Sequence, residues 1–278
     1  MWVPTLSVLQ TLSEVGASVW AKSSYFQRQY KRFIHRATKG KLMVPVFGAG
    51  GVGKSTTARF LSGMLNPLAP PQKYAESIST EKDYHFPGNI VAQFVVPPGQ
   101  EMRVSAHWPD LQRKVAAGKS KGIINLVSYG YHSFMIEDFK LHKFYKAGMT
   151  AASFMDEYTK ERRGLELKLL DEIIAAAKFT PKPLWMLTVV TKQDLWWDRH
   201  DTVKDYYENG PYSERLAEIE KQVGKSRFQH EFVPSSLVVS NFCSGDGTVL
   251  VPTCQGYDQS LHVAALTALL QSFEKLGG

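Results

Sequence analysis

The chain has 278 residues, 44% hydrophobic and 21% charged, with 21 glycines and 14 prolines. These proportions exclude disordered, fibrous and low-complexity classes, and a chain this long buries a full core without disulfides or structural metals. Lys+Arg 33 against Asp+Glu 26 leaves a net charge of +7, mildly basic and compatible with an anionic ligand without naming one.

From the N-terminus, residues 5–37 read as one long helix. Val8, Leu12, Val15, Val19, Phe26 and Phe33 form an apolar stripe, and Lys22, Arg28, Lys31, Arg32, His35, Arg36 and Lys39 make the second half basic. The sequence leaves three roles open for this extension (residues 1–40): lying on an anionic membrane, binding a partner or a second copy, or packing on the body. Residues 41–278 then alternate short apolar runs with helical stretches. LMVPVF (42–47), NIVAQFVV (89–96), GIINLVSYG (122–130), PLWMLTVV (183–190) and PSSLVVSNF (234–242) read as strands. Helices are expected over 55–65, 151–178, from Pro211 through Val223, and over 258–276 with Asp258 as its cap. Continuous apolar strands alternating with helices predict an α/β fold, a mostly parallel sheet with helices on both faces. Residues 66–88 read as a loop, and 130–183 is long enough to hold an insertion.

The strongest local signal is Gly48-Ala49-Gly50-Gly51-Val52-Gly53-Lys54-Ser55, which fits G-x-x-x-x-G-K-[ST] between a strand and a helix. Glycines let the backbone wrap a phosphate closely, and the loop N–H groups and helix N-terminus point at the anion. Lys54 supplies a point charge to the β and γ phosphates, and the Ser55 hydroxyl is placed to ligate Mg²⁺. The nucleotide-binding set here is Gly48, Gly50, Gly51, Val52, Gly53, Lys54, Ser55 and Thr56. Directly after a later strand comes Thr191-Lys192-Gln193-Asp194, which fits the guanine-reading [NT]-K-x-D. An ionised carboxylate accepts from guanine N1–H and the exocyclic amine, a donor pair that adenine lacks. Lys192 would lay its stem along the base.

With Pro97-Pro98-Gly99-Gln100-Glu101 after one strand and Ser240-Asn241-Phe242 near another, the chain resembles the Ras-like small GTPases of the P-loop GTPase superfamily. Gly99-Gln100-Glu101 resembles the end of D-T-A-G-Q-E, TKQDL resembles N-K-x-D-L, and Ser240-Asn241 sits where the family has S-A-K. The resemblance implies a three-layer GTPase fold, bound GTP or GDP with Mg²⁺, and a switch acting on a protein partner. It implies Gln100 and Lys54 as catalytic residues, Gly99, Thr191, Lys192, Asp194, Ser240 and Asn241 as nucleotide contacts, and Ser55 with a switch I threonine on the metal. Thr80 is the best candidate for that threonine, with Ser77 and Ser79 as rivals. Residues 70–88 and 97–118 would be the switch loops.

The departures point to slow hydrolysis. Val96 stands where the family has the aspartate that orients a metal-bound water, and Pro97 and Pro98 remove two N–H donors. The last-motif lysine is Phe242. These features leave a non-hydrolysing GTP/GDP-binding scaffold as the alternative to a GTPase. An ATP-dependent kinase is a weaker third option, opposed by TKQD. Trp196-Trp197 reads mainly as core packing, and His107, His132 and His142 lack metal-ligand spacing. Two cysteines, Cys243 and Cys254, suggest a reduced compartment. No signal sequence, N-myristoylation site or prenylation cysteine is expected, and no apolar run reaches membrane-span length. The expectation is a cytoplasmic protein whose membrane contact, if any, is peripheral, with no nucleic-acid partner.

Overall fold

The computed structural model describes residues 42–61, 65, 82–85, 92–96 and 101–277, with backbone alone for 42, 82–85, 92–96 and 101–107. The N-terminal extension, Thr80 with its rivals Ser77 and Ser79, and Pro97 through Gln100 lie outside the described residues.

β1 (Leu42–Gly48) runs into the glycine-rich loop, and α1 (Lys54–Leu61) leaves it. β2 (Lys82–His85), β3 (Ala92–Val96), β4 (Gly122–Val127), β5 (Leu184–Val190) and β6 (Phe228–Pro234) complete a six-stranded sheet in the order β2-β3-β1-β4-β5-β6. β2 pairs antiparallel with β3, and every other pairing is parallel. β4 and β5 are buried along their whole length. Water is therefore excluded from both faces, which is why these strands read as unbroken apolar runs. The strand order reverses at β1, and the crevice above the carboxyl ends of strands at such a switch point is where open α/β sheets bind ligands.

α2 (Glu101–Ala116), α3 (Ala151–Ala177), α4 (His200–Glu208), α5 (Pro211–Val223) and α6 (Gln259–Gly277) supply the other helices. α1 packs on β1 and β3, and α6 on β5 and β6, while α2, α3 and α5 pack in a row. Asp258 caps α6, its Oδ1 accepting the Leu261 N–H at 2.9 Å. Pro211 opens α5 and Gly224, at φ +94°, ends it. A two-strand hairpin, β7 (Phe242–Cys243) and β8 (Val249–Val251), stands apart from the main sheet.

Three sequence expectations are corrected. Residues 101–116 are helical rather than a loop; Trp108, Leu111 and Val115 are buried at spacings of three and four, and that stripe outweighs Pro109. The last strand of the sheet is 228–234, not 234–242. Its centre, His230-Glu231, looks too polar for a strand. Both side chains have partners: His230 Nε2 meets Thr188 Oγ1 at 3.0 Å, and Glu231 accepts from Ser272 and forms an ion pair with Lys275. Third, residues 82–85, within the stretch 66–88 that reads as a loop, form the antiparallel edge strand β2.

Candidate nucleotide site

The loop closing β1 is shaped by what it touches. Gly48 has φ +136°, and a Cβ there would lie 2.4 Å from the Leu126 carbonyl oxygen. Gly51 has φ +78°, and a Cβ there would lie 2.2 Å from the Ser133 carbonyl oxygen. Both positions need glycine for the turn and for the close approach. Lys54, in the first turn of α1, donates to the carbonyls of Gly48 (2.9 Å) and Ala49 (2.7 Å). Its ammonium thus folds over the loop and keeps one donor for an anion. Burial pushes its pKa down to about 7. Ser55 and Thr56 follow, half-buried, and Thr57 ties back to the Gly53 carbonyl at 2.9 Å.

The turn after β5 comes to the same edge. Thr191 Oγ1 reaches the carbonyls of Val52 (2.8 Å) and Val127 (3.0 Å), so the T-K-x-D turn is fastened to the glycine-rich loop. Lys192 adopts φ 58°, a left-handed conformation rare for a residue with a long side chain. Its Nζ donates to Ser133 Oγ at 2.7 Å and lies 5.1 Å from the Phe242 ring centroid. Phe242, read from sequence as a missing lysine, is a buried ring beneath this ammonium. Asp194 is 1% exposed. Its Oδ1 accepts from Ser236 Oγ at 2.5 Å and its Oδ2 from the Ser240 N–H at 3.0 Å. Burial raises its pKa, and these hydrogen bonds oppose the rise.

The shift of the strand to 228–234 relocates the S-A-K-like position. Ser235 and Ser236 follow the strand directly, and the Ser236 hydroxyl is the side chain on Asp194. Ser240 does meet Asp194, but through its backbone. Asn241 Oδ1 accepts the Thr253 N–H at 2.9 Å. Trp196 is fully buried, its Nε1 donating to the Thr191 carbonyl at 2.9 Å, whereas Trp197 stacks on His200. Ser133 and Ser236 were missed by sequence reasoning; no motif marks Ser133, and Ser236 was hidden by the misplaced strand.

Magnesium fits this donor set only in part. The glycine cradle and Lys54 suit a phosphate chain, and Ser55 offers one hydroxyl beside it. Val96 at the end of β3 offers no oxygen, and no cluster of three His, Cys, Asp or Glu side chains exists among the described residues. An ion here would rest on Ser55 and on phosphate oxygens.

Lys192 gives a pH test. Burial holds its pKa at about 7 against an ordinary 10.5. Below about pH 7 it is charged in both folded and unfolded chains, and its burial counts fully against folding. From about 7 to 10.5 the folded chain binds fewer protons than the unfolded one, so stability rises with pH. Lys192→Met is expected to melt higher than the wild type at pH 6, with the gap closing by pH 10. Thermal melts of the two proteins across that range check it, and a gap that is constant with pH contradicts it.

No protein-family model matches the chain, and no curated protein matches it. Among solved structures it is similar to the mammalian SRP receptor, at 16% identity over 70% of this chain and 91% of that one, with a TM-score of 0.42. It is similar to the ADP-ribosylation factor-like, small COPII coat GTPase SAR1 of Encephalitozoon cuniculi in complex with GDP, at 13% identity over 96% and 95%, with a TM-score of 0.39. A third is the SRb-GTP/SRX complex of the signal recognition particle receptor of Chaetomium thermophilum, at 13% identity over 72% and 92%, with a TM-score of 0.41. The fold rests on the chain's own topology: a phosphate loop between β1 and α1, a strand order reversing at β1, one antiparallel edge strand, and the T-K-x-D turn at the end of β5. That arrangement is an α/β P-loop NTPase fold.

Proposed function

We propose that the chain binds guanine nucleotide and hydrolyses GTP slowly, as a switch acting on a protein partner. The observation that carries this reading is the Thr191–Val52 hydrogen bond of 2.8 Å. It sets the carboxylate-bearing turn beside the lysine-bearing loop, so that one ligand with a base at one end and phosphates at the other satisfies both. Lys54 and the loop N–H groups hold the phosphates, Asp194 reads the base, and Lys192 and Thr191 fix the reader's position. Mg²⁺, when bound, would neutralise phosphate charge beside Ser55. Mass spectrometry of the nucleotide released on denaturing the purified protein tests the reading. Recovery of adenine nucleotide alone contradicts it.

The second reading, a scaffold that binds GTP or GDP without hydrolysis, draws on Val96 at the end of β3. A valine orients no water, so one support for the metal is gone. Intrinsic turnover is expected to be slow and to accelerate ~10³–10⁵-fold only when a partner supplies a positive charge. Gln100→Ala is expected to abolish the remaining turnover and leave GTP affinity nearly unchanged. Phosphate release over a Mg²⁺ series decides between the readings: none under any condition favours the scaffold, and fast unassisted turnover insensitive to Gln100 contradicts both. Residence in the cytoplasm is part of this proposal. No described helix is long and apolar enough to cross a membrane.

A further inference from the structure

The connection after β4 is organised by a single carboxylate. Glu166, in the middle of α3, is 2% exposed. Its Oε1 accepts the Ser128 N–H at 2.8 Å and the Gly130 N–H at 3.2 Å, and lies 2.9 Å from His132 Nε2. Its Oε2 accepts the Tyr207 hydroxyl at 2.8 Å, and that hydroxyl in turn accepts the Tyr129 N–H at 3.0 Å. Three successive backbone N–H groups are therefore wrapped around one side chain, directly or through Tyr207. From the same helix, Tyr158 donates to the His132 carbonyl at 2.6 Å.

The residue that this wrapping delivers is Ser133. Its N–H donates to the Gly51 carbonyl at 3.1 Å, and its Oγ accepts from Lys192 at 2.7 Å. Ser133 thus touches both halves of the nucleotide site, and Gly51 lies against it too closely for a side chain.

We propose that Glu166 is a positioning residue of the nucleotide site, setting the phosphate loop and Lys192 through Ser133. The proposal rests on the nucleotide-binding reading above and deepens it. A carboxylate buried this far from water is costly unless its lone pairs are filled. Here the donors come from one loop and from α4, so the satisfied geometry is also a specified loop position. His132 is held neutral, because burial lowers its pKa more strongly than Glu166 raises it. It therefore presents Nε2–H to the carboxylate, and its Nδ1 is without a partner among the described residues. Replacing the carboxylate by an amide keeps an acceptor but loses the charge that strengthens these bonds. An apolar replacement leaves buried N–H groups with nothing to meet.

The test uses the full chain as wild type, Glu166→Gln, Glu166→Leu and Tyr207→Phe. The readouts are the dissociation rate of a fluorescent GDP analogue, the ³¹P spectrum of bound GDP, and thermal melting. Glu166→Leu is expected to release the analogue about 100-fold faster, the order of loss that follows truncation of one partner in a buried hydrogen-bonded charged group. Glu166→Gln is expected to recover about tenfold of this, as a conservative replacement that still accepts but without the charge. In both glutamine and phenylalanine variants the β-phosphorus resonance should move. If the leucine variant does not fold, these two, which preserve shape, carry the test. Variants that melt lower yet release the analogue at the wild-type rate with unmoved phosphorus resonances overturn the proposal and leave Glu166 as core support. A wild-type protein that binds no GDP overturns the nucleotide reading itself, and the role of Glu166 with it.

Discussion

Lys54→Ala is expected to weaken GDP and GTP binding about 10²–10³-fold, consistent with the ~2–5 kcal/mol lost when one partner of a buried charge pair is truncated. The sequence motif alone suggests only a missing charge. The structure adds that the ammonium also bridges the carbonyls of Gly48 and Ala49. Truncation therefore loosens the loop that the phosphates must enter, as well as removing their counter-charge. The fold should survive, since Gly48 is the last residue of β1 and Ala49 the first of the loop, so both carbonyls lie at the end of the strand rather than within it. Titration with a fluorescent GDP analogue, alongside a thermal melt, checks both halves. Unchanged affinity in a folded variant would remove this loop from the binding site.

The second large effect belongs to Asp194→Ala. Preference for GTP over ATP is expected to fall from ~10⁴-fold to nearly nothing, because the alanine offers no acceptor to the guanine donor pair. The variant should also be less stable, by about 1–3 kcal/mol, since the buried Ser236 hydroxyl loses its carboxylate acceptor. Competition of GTP and ATP against the labelled analogue measures the first, and denaturant unfolding the second. If ATP already competes as well as GTP in the wild type, Asp194 is a structural carboxylate and not a base reader.

Both of these residues were legible in the sequence because their chemistry is local. A phosphate loop and a T-K-x-D turn each need only a few consecutive residues, and each is bounded by an apolar strand. Glu166 was not legible. Its partners lie at Ser128, Gly130, His132 and Tyr207, and a glutamate between Leu165 and Leu167 in a charged helix reads as solvent-facing. The same physics misplaced the last strand. Hydropathy ranks PSSLVV above FQHEFV, yet Glu231 is buried and His230 half-buried because Ser272, Lys275 and Thr188 meet them. Patterning registers apolar burial and is blind to polar groups whose partners arrive from elsewhere in the chain. The long helix of 27 residues was legible for the opposite reason, since its stripe repeats over many turns.

Three hydrogen bonds, Thr191 to Val52, Ser133 to Gly51 and Lys192 to Ser133, lock the carboxylate end and the lysine end of the site into one frame. On the nucleotide-binding reading, such a frame works as a gauge of ligand length. On that reading a guanosine monophosphate held by Asp194 would leave Lys54 without a β-phosphate, and inorganic pyrophosphate held by Lys54 would leave Asp194 without a base. Only a ligand that spans both gains from the second contact without a further loss of translational freedom, because the first contact has already placed it. Nucleoside diphosphates and triphosphates should then bind far more tightly than the separate affinities of their two ends would suggest. Cutting any one of the three bonds should erode that advantage while leaving each end's own affinity nearly intact.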